Sequence, residues 1–131
     1  MSKPILLVSD DGGPGGTLKR ALQKSATEFA IECAATRAEI AARRRPCLIV
    51  LDLMLSSEPA PEVLSWLRNE PLYQDVPVFV LGSEAGKGEI AAAFGLGASS
   101  CFVTAREQIE PIAEGIATYA SLLAAPAVSA C

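Results

Sequence analysis

The run Cys47-Leu48-Ile49-Val50-Leu51, closed by Asp52, constrains the fold of this 131-residue chain more than any other segment. Five consecutive apolar residues are short for a buried helix and leave no polar face for water. They predict a strand covered on both sides, as in a parallel sheet. A carboxylate at the C-terminal end of such a strand sits in the crevice where open α/β sheets hold ligands. A second run, Ile5-Leu6-Leu7-Val8, ends in Ser9-Asp10-Asp11. Two strands that end in acid bring carboxylates into one crevice, which points to a divalent cation, a phosphorylatable aspartate, or both.

Strand-like and helix-like patterns alternate along the rest of the chain. Strands are expected at 4–9, 29–34, 47–52, 77–81 and 100–103. Helices are expected from 17 to about 24, at 37–44 and 62–68, from about 87 to 94, and from about 106 to 123. The last carries Ile109, Ile112, Ala113, Ile116, Ala117 and Ala120 at the spacing of one apolar stripe. Five βα units with short connections specify a doubly wound α/β fold, a five-stranded parallel sheet with helices on both faces. One domain is expected over 1–123, with 124–131 a tail or the start of a linker.

Half of the residues are hydrophobic and 20% are charged, the balance of a globular chain rather than a disordered one. The net charge of −4 argues against nucleic-acid binding, which needs a basic face. The one basic cluster, Arg43-Arg44-Arg45, reads either as cations at a helix C-terminus or as a phosphate-binding patch. No apolar segment approaches the ~20 residues that span a bilayer, and the apolar stretch after Pro4 is too short for a signal peptide. A cytoplasmic protein without membrane association is expected. The chain has no histidine, which excludes histidine-dependent triads and ordinary zinc catalysis. Cys33, Cys47 and Cys101 fall in apolar runs and read as buried thiols, and Cys131 lies in the tail. The loop Asp11-Gly12-Gly13-Pro14-Gly15-Gly16 fits neither phosphate-loop register and reads as a flexible connection, with Thr17 as the N-cap of the first helix.

The segments Ile5-Leu6-Leu7-Val8-Ser9-Asp10-Asp11, Pro46 to Leu55, Asp75-Val76-Pro77-Val78 and Gly97-Ala98 together resemble the CheY-like receiver domain of two-component response regulators. The resemblance covers residues 4 to about 123. It implies the strand order 2-1-3-4-5 and a place in a phosphorelay, with Asp52 as the phosphoacceptor. It also implies a magnesium ion held by Asp10, Asp52 and the backbone carbonyl of Met54. The implied partners are a sensor histidine kinase or phosphotransfer protein, and an output partner on the surface of the fourth helix, fifth strand and last helix. That surface would include Lys87, Glu89, Thr104, Arg106 and Tyr119. No enzymatic activity is implied beyond transfer of a phosphoryl group to the domain itself.

Several positions depart from the family pattern. The first acid of its pair is Ser9, and the loop after the acceptor reads Ser56-Ser57-Glu58-Pro59-Ala60. The hydroxyl expected at the end of the fourth strand is Gly82, with Ser83 one step later as a weaker stand-in. The switch aromatic is Cys101, and the Lys-Pro pair is Thr104-Ala105. The lysine would donate a charge-assisted hydrogen bond to the phosphoryl group, worth about 1.5–3 kcal/mol.

Asp52 therefore reads as an acceptor or as the cap of a turn, and Asp10 and Asp11 as metal-site acids or turn residues. Met54, which has no acid chemistry, argues against a phosphatase with a D-x-D acid. The alternative to a phosphorylated receiver is a degenerate pseudo-receiver, an interaction module that works without phosphorylation.

Overall fold

The computed structural model describes residues 4–10, 14–82, 87–103 and 109–123. Five strands, β1 (Ile5–Val8), β2 (Ile31–Ala34), β3 (Leu48–Asp52), β4 (Val78–Gly82) and β5 (Ser100–Val103), form one sheet in the order 2-1-3-4-5. Every pairing is parallel. The helices are α1 (Pro14–Ser25), α2 (Arg37–Ala41), α3 (Ala60–Asn69), α4 (Lys87–Gly95) and α5 (Ile109–Leu123).

The pleat sorts each apolar strand between two cores. Leu6, Val8, Ile49, Leu51, Val78 and Val80 pack with residues of α2, α3 and α4. Their strand neighbours Ile5, Leu7, Leu48, Val50, Phe79 and Leu81 pack with α1 and α5 on the opposite face. The stripe from Ile109 to Ala120 is buried throughout, as its spacing requires.

Three local expectations are corrected. The first helix begins at Pro14, so Thr17 is an exposed residue inside it and no N-cap. Proline suits the first helical turn because its ring presets φ and it lacks an N–H the turn cannot use. The second helix ends at Ala41, so the three arginines follow its C-cap, Ala42, instead of filling its last turn. Arg44 pairs with Glu32 at 2.9 Å, and Arg45 Nε donates to the Leu72 carbonyl at 2.9 Å. Cys33, Cys47 and Cys101 are half-buried rather than fully enclosed. Thr36 caps α2, accepting from the Glu39 N–H at 3.1 Å.

Candidate functional site

In the order 2-1-3-4-5 the chain turns one way from β1 to β2 and the other way to reach β3. The ends of β1 and β3 therefore flank the switch point, where open α/β sheets form their ligand crevice. Ser9 and Asp10 follow β1 directly, and Asp52 ends β3.

Asp52 is 5% exposed. Its Oδ1 accepts the Met54 N–H at 2.8 Å, while its carbonyl accepts the Leu55 N–H at 3.1 Å. The carboxylate thus caps the turn that begins the β3–α3 loop. Burial pushes its pKa above the usual value, since the charged form loses water. The Met54 amide opposes that shift, the nearby Asp10 charge adds to it, and the Ser9 hydroxyl opposes it.

Asp10 has the contrary environment. Its Oδ2 accepts from the Ser56 N–H at 2.6 Å and the Ser56 hydroxyl at 2.7 Å, and its Oδ1 accepts from the Ser57 hydroxyl. The Ser57 bond, then the two from Ser56, lower its pKa to about 2. Two neighbouring carboxyls are thereby pushed apart, one held ionised and one drawn toward its neutral form.

The next loop residue, Glu58, accepts the Arg37 N–H at 2.7 Å and Arg37 Nε at 3.2 Å. The backbone bond first, then the guanidinium, pull its pKa down. The loop is tied to Asp10 at one end and to the start of α2 at the other. A cleft of about 450 Å³ opens beside it, lined by Ser9, Asp10, Ser56 and Ser57, with Glu39 and Arg43 also on its wall.

Ser9 is buried, with its hydroxyl 3.0 Å from the Asp10 carbonyl. The Met54 side chain is 57% exposed beside the acid that its amide caps. Asp11, Ser83 and Thr104 lie outside the described residues. Among the described residues no cluster of three or more histidine, cysteine or acidic side chains is placed to hold a metal. The roles of Ser56, Ser57 and Glu58 were not read from the sequence, where this loop appeared only as a departure from a pattern. Two adjacent hydroxyls after an acid-ending strand were the available signal.

No family model matches the chain, and no curated protein matches its sequence. Solved structures match its fold. The phosphorylated cyanobacterial phytochrome response regulator RcpA superposes with a TM-score of 0.79 at 25% identity, over 96% of this chain and 98% of that one. The Mn(2+)-bound form of response regulator Rcp1 gives 0.76 at 24% identity, over 89% and 93%. The receiver domain of sensor histidine kinase PA1611 from Pseudomonas aeruginosa, with a magnesium ion coordinated in its active-site cleft, gives 0.68 at 20% identity, over 90% and 99%.

Proposed function

The chain has a CheY-like receiver fold, and on that footing we propose that it accepts a phosphoryl group on Asp52 within a two-component phosphorelay. The observation that carries this reading is the position of Asp52, a buried acid ending β3 at the switch point beside ionised Asp10. An Asp52 carboxylate oxygen attacks the phosphorus of the donor, the bond from phosphorus to the donor breaks, and the donor leaves with the electron pair. The product is an acyl phosphate. The donor is a sensor histidine kinase or a phosphotransfer protein.

The donor set suits a hard cation, because magnesium takes oxygen ligands and is satisfied by one or two carboxylates with water. Asp10, Asp52 and the Met54 carbonyl would hold it, and when bound it would offset charge on the phosphoryl oxygens. The Rcp1 and PA1611 structures, with their manganese and magnesium, support this assignment by fold. The half-exposed ring of Phe94 on α4 and the partly exposed Tyr119 on α5 support an output face on α4, β5 and α5. In this reading the domain signals, and the chemistry assigned to it is its own phosphorylation.

The test is incubation with magnesium and acetyl phosphate, read by intact mass and by the fluorescence of Trp66, whose ring lies 5.5 Å from that of Tyr73. One added phosphoryl group, absent from Asp52→Asn, is expected. An unchanged mass overturns the reading and leaves the phosphorylation-independent module.

A further inference from the structure

A carboxylate offers about four acceptor positions on its two oxygens. At Asp10 three are taken by donors of the β3–α3 loop, two from Ser56 and one from Ser57. A cation draws on the same lone pairs, so each bound donor makes Asp10 a poorer ligand. The same loop has a second anchor. Glu58, next in the chain, holds both the first N–H of α2 and the Arg37 guanidinium. Meanwhile Gly82 and Cys101 have neither the hydroxyl nor the aromatic ring of the usual receiver switch.

Resting on the function proposed above, we propose that Ser56 and Ser57 are a latch that competes with a divalent cation for Asp10, and that its release reaches α2 through Glu58 and Arg37. The two states differ in defined contacts: three loop hydrogen bonds on Asp10 in one, a cation–carboxylate contact in the other. That difference is what lets a cation shift the equilibrium between them. Ser56 and Ser57 are positioning residues here; the proposal gives them no contact with the phosphoryl group. The signal would leave through α2, on the side of the sheet edge formed by β2.

The full chain is titrated with Mn2+ while electron paramagnetic resonance measures the unbound ion. S56A/S57A is expected to bind about tenfold tighter than the parent, and Asp10→Asn at least tenfold more weakly. In amide NMR spectra, Mg2+ is expected to shift the resonances of Arg37 to Ala41 in the parent. Those shifts should fall by more than half in Glu58→Ala while its affinity is retained.

Equal or weaker binding by S56A/S57A overturns the latch, and α2 resonances that stay still at saturating Mg2+ overturn the relay. If the parent binds the ion and S56A/S57A binds no tighter, the latch falls and the cation reading stands. If neither binds, both fall. Circular dichroism matching the parent verifies that each variant is folded.

Discussion

Two aspartates with opposed environments give the cleft its pH behaviour. Asp52 is raised by burial, so the folded state favours its protonated form. Stability contributed by that form is present below the ordinary carboxylate value and declines as pH rises through the raised one. At neutral pH the charge is a net cost. Asp52→Asn, which keeps an oxygen for the Met54 amide, is expected to stabilise the fold by on the order of 1 kcal/mol in thermal melts. A loss of that size would show that the Asp52 charge stabilises the fold despite its burial. Asp10 has the reverse sign: its pKa of about 2 means its contribution is present above the ordinary value and is lost as pH falls toward 2. In S56A/S57A the Asp10 carboxyl should titrate closer to about 3.9 by carbon-13 NMR. Asp52 and Asp10 were legible because each ends an apolar run. The serine bonds were not, because Asp10 and Ser56 are 46 positions apart and only the folded sheet brings them together.

At the scale of elements, short apolar runs identified all five strands, with ends within one or two residues. The helix ends were less legible. Glycine's weak helix propensity hid the start of α1, which Pro14 sets. α2 stops at its C-cap Ala42, and the arginines beyond it meet partners distant in sequence, Glu32 for Arg44 and Leu72 for Arg45. Another such joint lies between α4 and β5, where Gly97 has φ of +104°. A Cβ there would sit 2.7 Å from Arg68 Cδ and 2.8 Å from its Cγ. Arg68 cannot readily move aside, since its guanidinium donates to the carbonyls of Val76 at 2.6 Å and Gln74 at 3.1 Å. Gly97→Ala is expected to cost about 1–3 kcal/mol in denaturant unfolding, from backbone strain plus that clash. Thr36→Ala, which removes the α2 cap, should cost about 1 kcal/mol.

Across the whole molecule, the sheet separates two cores that, among the described residues, share no side chain. Ile40 of α2 is buried in one and Ile116 of α5 in the other. Ile40→Val and Ile116→Val should each cost about 0.5–1.5 kcal/mol. The double variant should match their sum within about 0.5 kcal/mol, as distant sites do; a larger departure would show that strain crosses the sheet. Among the described residues β2 and β5 are the outer strands of the sheet, each four residues long. An open edge can template pairing with another molecule, and short length and charge are the usual defences. On β2 the charge is Glu32, bound by Arg44. A surface ion pair of this kind adds little to folding stability. Its expected consequence is colloidal: charge on an outer strand disfavours edge-to-edge pairing with other copies of the chain when the protein is concentrated.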